Sequence, residues 1–284
     1  MTLLMKGAEV AAKLKEKILK DSSCLISSPT LGIIRVGNRP DNLSYEKGIL
    51  KRFESLKLAA KIFELPENIS QNDFDSAFGK INNDEKIHGL LLFRPLPKNL
   101  SDSFACEHIN FLKDVDSMSA LNAGKIFNGQ GGYVPCTPGA VMKILAHYEI
   151  NLEGKSVVIV GQSPTVGRPL AMLMLKENST VTICHSKTKD LKAVCSGADV
   201  LVACMGKAEF ITAEYVKPGA VVVDVGINFK DGRLCGDVDF QSVSPLAGAI
   251  TPVPGGVGAV TTSILAENLL EAYKNFFNKQ EAFF

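Results

Sequence analysis

The feature that most constrains this chain is a regular alternation of short apolar runs with segments of helical periodicity, which occurs twice along its length. In the first half, strands are predicted at 31–36, 59–65 and 89–93, with helices at 9–20, 45–55 and 71–82. In the second half, strands are predicted at 156–160, 180–184, 200–203 and 221–225, separated by segments that begin near residues 166, 188 and 212. Strands that alternate with helices in this way form parallel sheets. The sequence therefore predicts an α/β fold with two such blocks.

The length of 284 residues suits two domains of ordinary size. A further helix, predicted at 260–276, follows the second block, and its apolar face must pack outside a sheet that is already complete. We therefore predict one domain formed by residues 1–140 together with 262–284, and a second α/β domain at 141–261.

The composition excludes several classes of protein. Lys and Arg total 31 and Asp and Glu total 30, so the formal charge is +1 and no strongly basic domain is available to bind nucleic acid. No stretch approaches the roughly 18 apolar residues that span a bilayer, and the first residues do not resemble a secretory signal. The seven cysteines and four histidines lack metal-ligand spacing, so neither a metal site nor a disulfide framework is expected. We expect a soluble, cytoplasmic protein with no membrane partner.

A turn of the form G-x-S-x-x-V-G follows the strand predicted at 156–160. A strand that enters such a turn and then a helix directs backbone N–H groups towards a pyrophosphate. The candidate cofactor-binding residues in this turn are Gly161, Ser163, Val166, Gly167 and Arg168. Because the spacing departs from G-x-G-x-x-G, an ordinary strand-to-helix turn is the alternative.

The end of the strand at 180–184 bears on the choice of cofactor. Domains that bind NAD place an acidic residue there to bond the ribose 2′-hydroxyl. Here Ser186 and Lys187 follow the strand, and a hydroxyl with an ammonium suits a 2′-phosphate. NADP is therefore favoured over NAD, with a simply solvated lysine as the alternative.

Three more motifs stand out. One is acidic, K-D-V-D at 113–116, and two are rich in Pro or Gly, P-C-T-P at 135–138 and T-P-V-P-G-G-V-G at 251–258. Pro and Gly at this density fix a loop whose backbone can approach a planar ligand closely. The carboxylate of Asp116 can accept hydrogen bonds from ring N–H donors. Taken singly, each motif also fits an ordinary turn, and Asp116 also fits a helix cap or a salt bridge.

Together and in this order, these four motifs resemble the methylenetetrahydrofolate dehydrogenase/cyclohydrolase family over nearly the whole chain. The resemblance implies an N-terminal α/β domain completed by the C-terminal helix, a Rossmann-like NADP-binding domain and a homodimer. It also implies oxidation of 5,10-methylenetetrahydrofolate, a small-molecule folate substrate, with a nicotinamide cofactor.

Carried over by motif, the resemblance assigns roles to individual residues. Tyr45 and Asp116 would be the catalytic residues and would lie against the pterin. The other substrate-binding residues would be Pro254, Gly255, Gly256 and Val257. The cofactor would contact Gly256 and Val257 as well as Thr137, Ser163, Val166, Gly167, Arg168 and Ser186.

Two departures from the family concern its second activity. Bifunctional members carry Tyr-x-x-x-Lys, whereas here Ile49 stands four residues after Tyr45. Their V-Q-L-P-L-P becomes L-F-R-P-L-P at residues 92–97, so Phe93 replaces the glutamine that would hold the lysine. In a helix of about 100° per residue, Lys47 and Lys51 are displaced by about 200° and 240° from Tyr45, so neither simply substitutes.

We therefore expect an NADP-dependent methylenetetrahydrofolate dehydrogenase with weak or absent cyclohydrolase activity. The nearest alternative is the bifunctional enzyme, with Lys47 or Lys51 as a substitute proton carrier. The others are a non-catalytic folate- or nucleotide-binding subunit and another two-domain dehydrogenase, such as one that acts on shikimate. A smaller departure is Ser117, which stands where the family usually has glycine.

Overall fold

The computed structural model describes residues 2–281, with side chains as far as Phe277. The outer ends of the first predicted domain, residue 1 and residues 282–284, lie outside this part of the chain. Within the described part, no helix is long and apolar enough to cross a bilayer.

The structure contains short strands and helices in alternation. The strands, in chain order, are β1 (Leu3–Leu4), β2 (Thr30–Val36), β3 (Ala59–Leu65), β4 (Gly89–Leu92), β5 (Ser156–Val160), β6 (Thr180–Cys184), β7 (Val200–Ala203), β8 (Val221–Asp224), β9 (Asn228–Lys230), β10 (Arg233–Cys235) and β11 (Ala249–Ile250). The α-helices are α1 (Gly7–Ser22), α2 (Pro40–Ser55), α3 (Gln71–Asn82), α4 (Asp102–His108), α5 (Ala120–Phe127), α6 (Cys136–His147), α7 (Gly167–Lys176), α8 (Leu191–Ser196), α9 (Phe240–Val243) and α10 (Thr261–Glu281).

The chain folds into two compact units. The six-stranded unit contains the chain up to Lys13 together with Pro135–Thr261. The three-stranded unit contains Leu14–Val134 together with the chain from Thr262 onward. The first thirteen residues therefore lie in a different unit from the rest of the predicted first domain, because Leu3 in β1 pairs with Ala249 in β11.

The sheet of the six-stranded unit is parallel, with the strand order β1-β11-β8-β7-β5-β6. Since β6 lies on one side of β5 and β7 on the other, the direction in which the sheet grows reverses at β5. Ligands of open α/β sheets bind at such a switch, outside the carboxyl ends of the strands. The turn after β5 therefore occupies the position where a nucleotide is expected.

The sheet of the three-stranded unit is also parallel, with the order β3-β2-β4. One of its faces packs on the helices α3 and α4 through buried side chains that include Ile34, Leu92 and Phe78. Helix α10 joins the same unit, where the Asn268 amide donates to the carbonyls of Val115 and Val134, each at 2.8 Å. The expectation that the last helix completes the N-terminal α/β domain is confirmed.

The prediction of a two-domain α/β fold with parallel sheets is confirmed. Helix α2 begins at Pro40, ahead of the predicted start at 45, because proline and an acidic residue suit the first helical turn. Helix α6 begins at Cys136 and has Pro135 at its N-cap, so Thr137 lies inside the first helical turn. The alternation does not predict β1, β11 or the hairpin β9–β10, whose strands have only two or three residues.

Candidate active site

The carboxyl end of the three-stranded sheet carries an aromatic corner formed by Tyr45, Ile49 and Phe93. The Tyr45 and Phe93 rings lie 5.5 Å apart between centroids, at an interplanar angle of 35°. Tyr45 is 39% exposed, whereas Phe93 is 5% exposed and Ile49 is fully buried. Ile49 and Phe93 are therefore part of the apolar interior, whereas Tyr45 keeps an exposed surface.

Helix α2 brings Tyr45 to this corner and is held on the sheet by a buried ion pair. Arg35, in β2, is 4% exposed, and its Nε donates to Glu46 Oε2 at 2.8 Å. The same guanidinium donates to the Gly37 carbonyl at 2.6 Å and contacts the more exposed Glu64 at 3.1 Å. The neighbour of Tyr45 in the sequence is thus fixed to the adjacent strand.

The two lysines considered as substitutes are both exposed on α2. Since α2 is helical from Pro40 to Ser55, the angular displacement expected for an α-helix applies to both. Lys47 and Lys51 therefore extend from other faces of the helix than the one that carries Tyr45 and Ile49.

A carboxylate corner, formed by Asp114 and Asp116, lies beside β4. Asp114 makes an isolated parallel bridge with Leu90, and the chain then turns, with the Ser117 N–H donating to the Asp114 carbonyl at 3.1 Å. The carboxylate corner therefore adjoins the strand that Phe93 directly follows.

The two carboxylates of this corner differ in environment. Asp114 is fully buried and accepts from the N–H groups of Met118 and Ser119 and from the Asn122 amide, at 2.8 to 2.9 Å. Burial raises the pKa of Asp114, and these hydrogen bonds oppose the shift. Asp116 is partly exposed. Asp114 thus braces the loop, and Asp116 is the more exposed of the two carboxylates.

The lysine of the K-D-V-D motif is buried and engaged with the backbone. Lys113 Nζ donates to the carbonyls of Asn82 and Asp84, both at 2.8 Å. Burial lowers the pKa of this ammonium. Lys113 therefore serves to anchor the loop after α3.

Ser117 follows the carboxylate corner in a left-handed conformation, with φ of +57°. Its hydroxyl oxygen is buried and has no hydrogen-bond partner among the described residues. Both features are costly for serine and would be absent with glycine.

In the six-stranded unit, the turn after β5 depends on two glycines. Gly161 has φ of +143°, and a Cβ there would collide with the Cys204 carbonyl. A Cβ on Gly167 would collide with the Gly161 carbonyl. The Val166 N–H donates to Ser163 Oγ at 3.1 Å, and α7 begins at the next residue, followed by the exposed Arg168. Backbone N–H groups at a helix N-terminus with an adjacent guanidinium form a site that suits phosphate.

The end of β6 places Ser186 and Lys187 in an exposed, ordered turn. The His185 N–H donates to Thr188 Oγ1 at 2.9 Å, and the Lys187 N–H donates to His185 Nδ1 at 3.1 Å. The segment contains no carboxylate before Asp190. The turn is therefore held by its own hydrogen bonds and offers a positive side chain to solvent.

The Pro/Gly loop borders a cavity of about 320 Å³ in the six-stranded unit. The lining contains the loop residues Pro254, Gly255, Gly256 and Val257. Gly255 has φ of +100°, and its carbonyl accepts from the N–H of Gly7 at 2.8 Å. The loop is thus held rigidly, with its backbone facing an open space.

Asp224, which the motif analysis did not single out, also lines this cavity. Its carboxylate accepts from the N–H groups of Gly226, Asp237 and Val238, each at 2.9 Å. Burial raises its pKa to about 6, against these hydrogen bonds. The signal in the sequence is an acidic residue at the carboxyl end of a predicted strand, followed closely by glycine.

No cluster of His, Cys, Asp or Glu suited to a metal ion occurs within residues 2–281.

Comparison with known proteins assigns these features to a family. The tetrahydrofolate dehydrogenase/cyclohydrolase catalytic domain matches residues 5–116, and the NAD(P)-binding domain of the same family matches residues 135–277. This chain belongs to that family. It is accordingly an enzyme of the tetrahydrofolate dehydrogenase/cyclohydrolase class, which removes the shikimate and non-catalytic alternatives.

Individual members of the family are similar over the full length. The bifunctional protein FolD of Alkaliphilus oremlandii is 48% identical, covering 96% of this chain and 97% of its own length. The crystal structure of the bifunctional enzyme FolD from Campylobacter jejuni is 40% identical with a TM-score of 0.94, covering 97% of this chain and 99% of its own. The FolD structure from Trypanosoma brucei, complexed with NADP and an inhibitor, is 31% identical with a TM-score of 0.91, covering 96% and 98%.

Proposed function

We propose that this member of the tetrahydrofolate dehydrogenase/cyclohydrolase family oxidises 5,10-methylenetetrahydrofolate to the 5,10-methenyl form with NADP, and hydrolyses that product weakly or not at all. The observation that carries the proposal is the aromatic corner. Ile49 is fully buried and Phe93 nearly so, at the positions where bifunctional members carry a lysine and its glutamine.

The two activities make different demands on the protein. Hydride removal from the methylene carbon leaves a cation stabilised by its two flanking nitrogens, so positioning supplies much of the acceleration. Hydrolysis requires water to lose a proton as it attacks, and a ring nitrogen to gain one as it leaves. An isoleucine and a phenylalanine can carry neither proton.

The positioning groups are retained. The exposed face of Tyr45 offers an aromatic surface to the pterin, and Asp116 can accept hydrogen bonds from its ring N–H and amino groups. We place folate binding in the three-stranded unit on these two residues. The competing proposal is the bifunctional enzyme, and the displacement of Lys47 and Lys51 from the face of α2 that carries Tyr45 speaks against it.

The six-stranded unit fits a phosphate-bearing dinucleotide. Gly161, Ser163, Val166, Gly167 and Arg168 would hold the pyrophosphate, because a side chain on either glycine would fill the turn. Ser186 and Lys187 would hold the 2′-phosphate, while Thr137, Gly256 and Val257 would lie along the nicotinamide. When bound, NADP supplies the hydride acceptor.

The cofactor proposal is tested by comparing kcat/KM for NADP and NAD. We expect NADP to be preferred, and Lys187→Ala to reduce that preference while leaving kcat/KM for NAD unchanged. Lys189→Ala, an exposed lysine two residues on, is the matched control. A clear preference of the unmodified protein for NAD would contradict the proposal.

We also propose a cytoplasmic homodimer. The family resemblance supports the dimer, and light scattering at several protein concentrations tests it. A mass of one chain, 30.5 kDa, at all concentrations would contradict it.

The main test measures the two reactions separately with purified protein. NADP reduction should require 5,10-methylenetetrahydrofolate, and hydrolysis of supplied 5,10-methenyltetrahydrofolate should proceed close to its rate in buffer. Hydrolysis that is rapid and is abolished by Lys47→Ala or Lys51→Ala would favour the bifunctional alternative.

A further inference from the structure

Arg94 directly follows Phe93 at the carboxyl end of β4 and is only partly exposed. The guanidinium of Arg94 has no hydrogen-bond or ion-pair partner among the described residues. Two other arginines of the same unit are paired: Arg35 with Glu46, and Arg39 with Asp41 at 2.6 Å. A partly desolvated guanidinium without an acceptor is costly unless water or an anionic ligand supplies one.

The positive charge of Arg94 influences the nearby Cys106 thiol, but no carboxylate in the described part of the chain forms an ion pair with the Arg94 guanidinium. Burial raises the pKa of the Cys106 thiol, and Arg94 opposes this shift while Asp102, Asp114 and Glu107 add to it. These carboxylates are close enough to influence the thiol, yet none forms an ion pair with Arg94. Asp114 is occupied by Met118, Ser119 and Asn122.

The position of Arg94 in the chain links it to the folate site. It follows Phe93 by one residue, and the Phe93 ring lies 5.5 Å from the partly exposed Tyr45 ring between centroids. It also stands where the family motif V-Q-L-P-L-P has leucine, so the charge is a departure from that motif, as Phe93 is.

A folate consists of a pteridine, an aminobenzoyl ring and a glutamate whose carboxylates are its anionic groups. The aromatic corner and Asp116 suit the rings, which leaves the carboxylates without a partner. Arginine binds carboxylates through paired N–H donors of matching geometry.

We propose that Arg94 binds a carboxylate of the glutamate portion of the folate substrate and makes the enzyme selective for glutamate-bearing folates. This inference rests on the proposed function, because it takes the folate to bind to Tyr45 and Asp116.

The test compares 5,10-methylenetetrahydrofolate with 5,10-methylenetetrahydropteroate, the latter used here and below as its uncharged primary amide, so that the two substrates differ only in the glutamate. In Arg94→Leu, kcat/KM for the folate should fall about 10-fold, as expected for the loss of a charge-assisted hydrogen bond, with little change for the pteroate. Arg94→Lys should retain part of the difference. Lys98→Ala, an exposed cation four residues on, is the control and should leave both values unchanged.

An equal loss with both substrates, or no loss with either, would overturn the assignment of Arg94. Thermal unfolding of each variant shows whether a loss reflects the fold. If the unmodified protein oxidises neither substrate, the proposed function fails. Calorimetric binding of tetrahydrofolate and tetrahydropteroate to the same variants then decides the role of Arg94 separately.

Discussion

The carboxylate corner and the aromatic corner belong to the same three-stranded unit, yet they have different chemical character. Around Asp114 every hydrogen bond contributes to a fixed polar loop that presents Asp116. Around Tyr45 the neighbours Ile49 and Phe93 are buried and apolar. Under the proposed function, the polar loop would help to position the pterin, and the apolar corner would lack a group that moves a proton. Binding and proton transfer would then be separable within one enzyme.

The largest effect is expected from restoring polarity to the aromatic corner. The double change Ile49→Lys with Phe93→Gln should raise methenyl hydrolysis about 100-fold over the unmodified protein, which is the low end for general acid–base catalysis. Hydrolysis is measured directly on 5,10-methenyltetrahydrofolate.

Each single change provides a control for that experiment. Ile49→Lys alone places an ammonium beside Phe93 without a hydrogen-bond partner, so burial should lower its pKa and little hydrolysis should return. A single change that equals the double one would show that the two replacements do not act together.

Removing the carboxylate of Asp116, which we propose binds the pterin, should affect oxidation. We expect Asp116→Ala to lower kcat/KM for 5,10-methylenetetrahydrofolate about 30-fold through the loss of charge-assisted hydrogen bonds. The dissociation constant for NADP should be nearly unchanged. Unaltered folate kinetics in a well-folded Asp116→Ala protein would show that Asp116 does not bind the folate and only stabilises its loop.

The ion pair that holds α2 should contribute to stability in proportion to its burial. Glu46→Gln should lower the free energy of unfolding by about 1.5 kcal/mol, since it removes the charge from a buried pair but keeps an acceptor oxygen. Glu64→Gln removes the exposed partner of the same Arg35 and should cost less than about 0.5 kcal/mol. Urea unfolding measures both, and equal costs would contradict this account of how Tyr45 is held.

The smallest effect is expected beside the carboxylate corner. Ser117→Gly relieves a left-handed backbone conformation and removes a buried, unpartnered hydroxyl, so the protein should gain about 0.5 kcal/mol. The midpoint of thermal unfolding should rise slightly. A decrease would mean that the serine hydroxyl makes a favourable contact, for example with bound water.

Much of the fold could be predicted because long strands carry their own periodicity. β3, β5, β6 and β7 occur at the predicted residues, since each is an apolar run bounded by turn residues. The strands β1 and β11 could not be predicted, because two residues carry no periodicity and the two strands are fixed only by pairing across the chain.

Some features of the candidate site could likewise be predicted from the sequence, and others could not. The positions of Tyr45, Asp116 and the Pro/Gly loop follow from motifs. Two other features depend on which side chains tertiary packing brings together: the ion pair of Arg35 with Glu46 and the unpaired charge of Arg94. The spacing of residues in the sequence does not predict such contacts. Asp224 was missed because a single acidic residue at the end of a strand, outside any recognised motif, does not by itself indicate a binding site.

The central claim, that oxidation is retained without hydrolysis, is tested most directly by following all products of one reaction. Purified protein is mixed with 5,10-methylenetetrahydrofolate and NADP, and NADPH, 5,10-methenyltetrahydrofolate and 10-formyltetrahydrofolate are quantified over time at several enzyme concentrations. We predict that the amount of NADPH equals the sum of the methenyl and formyl products, and that the formyl product forms only at the rate measured in buffer. Formation of 10-formyltetrahydrofolate at a rate proportional to enzyme concentration would contradict the account.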